Sequence, residues 1–343
     1  MKKIILINLI LIVCLSMIGE LFFGSWFDKN NFGMHMRGHI NNNFKMVSEG
    51  ASESGKTQEF KFFRNSLAFR NYEVKAKDID AVFNGGSTTI QSYLPYDQTI
   101  VGLLNKSFEE KNILIANAGL EGKSTYGYLC DFKYWFSKIE DLNPKYYIFY
   151  TGYNDIWNLS NDDPDSPQRH CEGITARQTK KHKVIDFLAN NSFLISSILK
   201  LKNNYFEKKV TFNANTYGSF ANKGLTYTSY EEAKKLNIKF RNPDAKRASR
   251  YKKNLENLKK VILAKEITPI FITQVDSLGN YSPAIRLIND ITKNFAEKNN
   301  FIIIKLDEEI DLKTSDFYDD VHTNKIGSEK VSNFIYSKIK DLF

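Results

Sequence analysis

Residues 80–89 read DAVFNGGSTT, a short apolar run that stops at two glycines, a serine and two threonines. An apolar run of that length closed by turn residues reads as a buried strand. Glycines let the backbone turn sharply and keep the next hydroxyl exposed, so Ser87 is expected on a tight turn between strand and helix. The same turn could cradle a phosphate on free backbone N–H groups. No Gly-Lys-Ser/Thr follows, and a dinucleotide fingerprint would need a third glycine at its proper spacing. Taken alone, the turn leaves a nucleophile and an anion cradle both open.

Outward from this stretch the pattern alternates. Residues 99–110 read as a helix, 113–117 as a strand, and 126–139 as a helix with Leu129, Phe132, Phe136 and Ile139 at helical spacing. Residues 146–150 read as a third strand. After an interruption come a helix over 251–265, a strand over 269–273, a helix opened by Ser282 and Pro283, a strand over 301–306 and a last helix after Gly327. Strands alternating with helices make a parallel sheet covered on both faces. Five of them predict a three-layer, flavodoxin-like α/β domain whose ligands sit beyond the carboxyl ends of the strands.

That edge is where candidate chemistry collects. The second strand delivers Asn117, Ala118 and Gly119 to it, and the third delivers Gly152, Tyr153, Asn154 and Asp155. An acyl-transfer site needs donors aimed at the oxygen that turns negative, and the Ser87 N–H, the Gly119 N–H and the Asn154 side-chain amide could supply three. The plainer reading of Asn154 and Asp155 is a turn or helix cap. Near the C-terminus Asp319, Asp320, Val321 and His322 precede Asn324 and Gly327 on another loop. His322 can take the serine proton. Asp319, three residues earlier, can curve back to hold the other ring nitrogen, with Asp320 the next candidate. His35 and His39 lack the intervening Glu of a zinc protease, and His170 and His182 fall in the interruption, so these four are expected to be non-catalytic.

Together, residues 85–89, Gly119, Gly152 with Asn154, and Asp319 with His322 resemble the four signature blocks of the SGNH hydrolases, the GDSL-like esterases, in order and spacing over residues 80–330. The resemblance implies a nucleophile at Ser87, oxyanion donors at Ser87, Gly119 and Asn154, a base at His322, an orienting acid at Asp319, and no metal or organic cofactor. Gly86 stands where the family's older consensus has an acidic residue, as it does in many members. Residues 64–70, with Asn65, Phe69 and Arg70, also resemble the approach segment of membrane-anchored members.

The N-terminus carries the clearest targeting signal. Lys2 and Lys3 precede an uncharged run over residues 4–19 that Leu21, Phe22 and Phe23 extend past Glu20. Small residues suited to a cleavage site are hard to find, so an uncleaved anchor is favoured over a removed signal peptide. The positive-inside preference then puts everything after about residue 24 outside the cytoplasm, with Trp26 and Phe27 suited to the interface. Cys14 follows the bulky Val13 and is not expected to be lipidated. Cys130 and Cys171 could pair, but nothing in the sequence makes them neighbours.

The expected organisation is therefore an anchor or signal segment over 1–24, a linker and short β-rich lead over 25–76, and the main domain over 77–343, with an insertion at about 156–250. The insertion, with its Pro- and Asp-rich loop over 161–167 and apolar stretch over 184–201, is expected to cap the site. Alternatively, Phe187, Leu188, Phe193, Leu194, Ile198 and Leu199 simply pack a helix onto the main domain. The net charge of +9 is spread along the chain, and the basic clusters at 180–183 and 246–253 read as solvated helix faces. No nucleic-acid reader module is recognisable. Three functions fit the pattern: an esterase acting on an acylated envelope glycan or lipid, an O-acyltransferase using the same residues, and a catalytically silent glycan-binding protein. For a polyol acceptor, Trp157, Tyr217, Tyr227 and Tyr230 are candidate platforms, although aromatics in an insertion more often build its core.

Overall fold

Five apolar segments form the strands of one parallel sheet. The computed structural model describes residues 2–24, 26, 32, 36, 39–156, 171, 184, 188, 191–205, 209–214, 227–235, 245–280 and 282–343. Its strands are β1 (Asn43–Glu49), β2 (Thr57–Phe63), β3 (Ala81–Gly85), β4 (Ile115–Asn117), β5 (Tyr146–Tyr150), β6 (Lys209–Asn213), β7 (Thr268–Ile272) and β8 (Ile302–Ile304). The main sheet runs β4-β3-β5-β7-β8, every pair parallel. This is the doubly wound, flavodoxin-like order. Its switch point lies between β3 and β5, and ligands of such sheets bind beyond the carboxyl ends of the strands there.

Both central strands are buried at every position, which is why their sequences are apolar runs rather than alternations. Successive side chains still point to opposite faces. Val82 and Phe149 join Trp135, Leu255, Leu258, Ile288 and Phe295 on one side. Phe83 and Ile148 join Leu104, Val331 and Ile335 on the other. The covering helices are Thr125–Tyr134, Ala245–Ala264 and Pro283–Lys298 on the first face, and Ile100–Ser107 and Lys325–Ile339 on the second.

Helix bounds differ from expectation: the helix expected over 251–265 starts six residues earlier, at Ala245, and the one expected over 99–110 stops at Ser107. The helix predicted over 126–139 stops at Tyr134 and continues as a 3-10 turn, Phe136–Lys138. At the break the indole of Trp135 is fully buried and its Nε1–H donates to the Leu67 carbonyl at 2.8 Å. The last helix starts at Lys325 rather than after Gly327, because the Asn324 side chain accepts from the Gly327 N–H at 3.0 Å and caps it.

A second sheet has the order β2-β1-β6. β1 and β2 form an antiparallel hairpin, and β6, from the insertion, adds parallel to β1. Met46, Phe62 and Phe212 from these strands pack with Ile90, Leu94 and Tyr318, so this sheet sits against the switch-point edge. Elsewhere in the insertion, residues 193–205 and 230–235 are helical, whereas Trp157, Tyr217 and the 161–167 loop lie outside the described residues, as do His35, His170 and His182. Tyr227 packs at the margin of the second core face, and Tyr230 has the Lys293 ammonium 5.8 Å from its ring centre.

Cys130 and Cys171, 41 positions apart in sequence, are disulfide-bonded with Cα atoms 5.1 Å apart. Such a bond restrains the unfolded chain and ties the start of the insertion to the Thr125–Tyr134 helix. At the N-terminus, Lys2–Phe23 is one 22-residue helix with no buried residue. At 1.5 Å rise per residue it is roughly 33 Å long, enough to cross a bilayer core of about 30 Å.

Candidate active site

Ser87 opens the short Ser87–Ile90 helix directly beyond β3, with Gly86 as its N-cap. As the first helical residue, Ser87 presents one of the N–H groups that has no intrahelical acceptor. Gly86 is needed for close approach: a Cβ there would lie 2.5 Å from the Nδ2 of Asn154. The sequence thus replaces a side chain before the serine with space that the Asn154 amide fills.

Asn154 stands just beyond β5, in the Tyr153–Ile156 helix, across the switch point from Ser87. One Nδ2 hydrogen donates to the Lys123 carbonyl at 3.1 Å, which leaves the other free to turn toward the serine. The next residue, Asp155, accepts from the Thr125 N–H and hydroxyl. These bonds fix the loop after β5 to the loop after β4.

Lys123 holds that loop, and sequence reasoning passed it over. Its side chain is 2% exposed, and its ammonium donates to Asp131 at 2.5 Å, to the Ala118 carbonyl at 2.7 Å and to Asn84 Oδ1 at 3.1 Å. One side chain therefore grips β3 three residues before Ser87, the residue before Gly119, and the carbonyl-bearing loop that orients Asn154. Burial pushes its pKa down to about 8, with the Asp131 charge pulling the other way, so the ion pair is present at neutral pH.

Gly119 requires a correction. Its N–H, expected as an oxyanion donor, donates instead to Asn117 Oδ1 at 3.0 Å. An asparagine two residues upstream makes this bond locally as an Asx turn. Gly119 is demanded by packing, because a Cβ would come within 2.4 Å of the Ile90 backbone nitrogen. The Ser87 N–H at the helix start and the Asn154 amide beside Gly86 remain as the candidate donors.

Two buried arginines of the lead segment brace the same edge. Arg64 donates to the Ala68 and Gly119 carbonyls, both at 2.7 Å. Arg70 donates to the carbonyls of Ile90, Gln91 and Leu94, at the end of the Ser87 helix. Burial pushes Arg64 down to about 10 and Arg70 to about 9, still charged at neutral pH.

His322 lies on the loop before the last helix. Its Nδ1 is 2.7 Å from Asp319 Oδ2, while Asp319 Oδ1 accepts from the Val321 and His322 amides at 2.8 and 2.7 Å. This turn presents the ring and fixes its tautomer, with Nδ1 carrying the proton and Nε2 open as an acceptor. Tyr318 stacks on the imidazole at 5.5 Å, and Phe212 of β6 packs in turn on Tyr318. Asp320, the alternative partner, uses its carbonyl to accept from the Ser277 amide. Burial opposes a charge on His322, but the Asp319 charge and hydrogen bond, with Glu121 farther off, outweigh it and raise the imidazole above its ordinary pKa. Asp319 is held below the usual carboxylate value: burial acts upward, and the His322 charge and hydrogen bonds overcome it.

Gln91 joins the two loops. Buried and left-handed (φ 48°) just past the Ser87 helix, it donates to Thr323 Oγ at 3.1 Å and Ser328 Oγ at 2.7 Å, and accepts from the Ile100 N–H at 2.6 Å. The residue after His322 is thereby tied to the turn that carries Ser87, although 232 positions separate them in sequence. No hydrogen bond joins Ser87 to His322 directly; such bonds frequently tighten only when substrate binds. Among the described residues no group of three or more His, Cys, Asp or Glu could hold a metal ion.

No family model matches the chain, and no curated protein matches it. Solved structures do share its outline. An acetyl xylan esterase is 15% identical over 76% of this chain and 99% of its own, with a TM-score of 0.40. A lipolytic protein of the G-D-S-L family from Veillonella parvula is 12% identical over 76% and 98%, with a TM-score of 0.42. The GDSL-like lipase of Bacteroides thetaiotaomicron is 12% identical over 80% and 93%, with a TM-score of 0.38. Likeness at this level identifies neither family nor reaction.

Proposed function

We propose that this chain is a serine ester hydrolase of the SGNH type, held at a membrane by its N-terminal helix and acting on an acylated glycan or lipid of the cell envelope. The observation that carries the reading is the Asp319-His322 pair, with Nδ1 held at 2.7 Å, on a loop tied through Gln91 to the Ser87 turn. Ser87 Oγ attacks the ester carbonyl carbon as its proton passes to His322 Nε2. Asp319 keeps the ring in the working tautomer and stabilises the imidazolium. The Ser87 N–H and the Asn154 amide receive the negative oxygen of the tetrahedral intermediate. Collapse returns the proton from His322 to the departing alcohol and leaves an acyl group on Ser87, which water then removes by the same steps.

The envelope location rests on Lys2 and Lys3 ahead of the apolar helix, which favour a cytoplasmic N-terminus. The Cys130–Cys171 bond supports the domain's exposure to an oxidising compartment. The test is release of the phenol from a short-chain aryl acetate by the full-length protein in detergent, with and without an added oligosaccharide. Hydrolysis supports the esterase. Transfer of the acetyl group to the oligosaccharide in preference to water selects the O-acyltransferase instead, and folded protein that does neither leaves glycan binding without catalysis.

The pH profile carries a second expectation. His322 works as a base only when neutral, and its pKa is raised, so activity climbs with pH through a midpoint above the ordinary histidine value of about 6.5. Asp319→Asn removes the charge that raises it. In kcat measured against pH, the variant's acid limb moves to lower pH and its plateau falls roughly 10³- to 10⁴-fold. An unshifted limb would mean that a group other than His322 sets it.

A further inference from the structure

Glu20 is the lone acid of the Lys2–Phe23 helix and lies one turn from its end. Its carboxylate accepts from Trp26 Nε1 at 2.7 Å, from the Ser192 hydroxyl at 2.5 Å, and from the backbone N–H groups of Phe193 and Leu194, both at 3.1 Å. Phe193 and Leu194 open the 13-residue Phe193–Tyr205 helix, so their N–H groups lack intrahelical acceptors. Glu20 thus caps, from a different helix, the start of a segment 172 positions away. The ring of Phe193 rests 5.3 Å from that of Phe23 and against Gly19. The insertion helix therefore begins where the apolar N-terminal helix ends.

From that point the helix displays Leu194, Ile198 and Leu201 at 38, 63 and 68% exposure. Their spacing of four and then three places them on one face. Thirteen residues reach only about 20 Å, too short to cross a bilayer core of about 30 Å. A short helix with an uncovered apolar stripe, fastened to the emerging end of a membrane span, has the form of an interfacial helix.

We propose that the Phe193–Tyr205 helix is a second membrane contact, lying along the bilayer surface with Leu194, Ile198 and Leu201 in lipid and Glu20 locking it to the anchor. This rests on the reading that Lys2–Phe23 spans the membrane. With two attachment points the domain does not swivel freely on its anchor, and the insertion that supplies β6 and Phe212, which packs on the Tyr318 ring stacked against His322, is referenced to the lipid surface.

The test uses the full chain with Cys14→Ser, reconstituted into bilayers of phosphatidylethanolamine and phosphatidylglycerol and spin-labelled singly at Met17→Cys, Ile198→Cys, Leu201→Cys or Leu263→Cys. Leu263 is 60% exposed on the Ala245–Ala264 helix and serves as the aqueous reference. Labels at 17, 198 and 201 are expected to collide more with oxygen than with a water-soluble nickel chelate, and the label at 263 the reverse. Adding Glu20→Ala should raise nickel collisions at 198 and 201 several-fold without changing those at 17. Nickel access at 198 and 201 with lipid contact kept at 17 overturns the surface helix and leaves the anchor standing. Shielding of 198 and 201 from both reagents overturns it in favour of a protein covering that face. Nickel access at 17 removes the anchor reading and this inference with it.

Discussion

Ser87→Ala is expected to lower kcat for an acyl ester by about 10⁶-fold, and His322→Ala by a similar amount. The two act as one unit. Without the hydroxyl there is no nucleophile, and without the imidazole the hydroxyl keeps its proton at neutral pH, so either loss removes the covalent route. The double variant should be no slower than the single ones, since what persists comes from the Asn154 and Ser87 N–H donors and from binding. Thermal unfolding should barely change for Ser87→Ala, because the serine is only half-buried and the helix it opens is held by Arg70 and Gln91. Full activity in a purified Ser87→Ala protein would remove Ser87 from the chemistry.

Lys123→Met is expected to damage both stability and rate. It strands the Asp131 carboxylate, whose side chain has no exposed surface, and breaking a buried pair from one side costs about 3–5 kcal/mol. The Lys123 ammonium also holds the Ala118 carbonyl and Asn84, while its own carbonyl receives the Asn154 amide. Loss of the grip should let Asn154 drift from the Ser87 turn and lower kcat by about 10²-fold, near the low end for losing an oxyanion donor, with KM little changed. The double variant Lys123→Met, Asp131→Leu removes both charges and should regain most of the melting temperature but not the lost kcat. Recovery of both would make the pair purely structural; recovery of stability alone makes Lys123 a positioning residue.

The sheet was legible because its strands are buried on both faces. Residues 80–84, apolar from Ala81 to Phe83, and residues 146–150 read as buried strands closed by turns, and β3 and β5 lie within one residue of them. The ends of such strands converge on one edge by topology alone, so the sequence places Ser87, Asn154 and the His322 loop toward that edge. The pairing of His322 with Asp319 rather than Asp320 was also within reach, since a bond across three residues is local.

The residues that hold the edge were not legible, since each depends on what folding brings against it. A lysine in a polar stretch reads as solvated, and only Asp131, Asn84 and the Ala118 carbonyl, closing around it, make Lys123 a buried brace. Gln91 and Thr323 meet across 232 positions, a contact no period encodes. Glu20 interrupts an apolar run, and its role comes from the start of the Phe193–Tyr205 helix, whose N–H groups it accepts. The Gly119 amide shows the same limit in reverse: the motif offered a free donor, and the fold of Asn117 took it. Sequence by itself determined the layer architecture and the types of group at the carboxyl edge of its sheet, because hydrophobic period and turn chemistry act over a few residues. Tertiary structure alone decided which buried charges grip which carbonyls, because a hydrogen bond's partner is fixed by distance in space and not by distance along the chain.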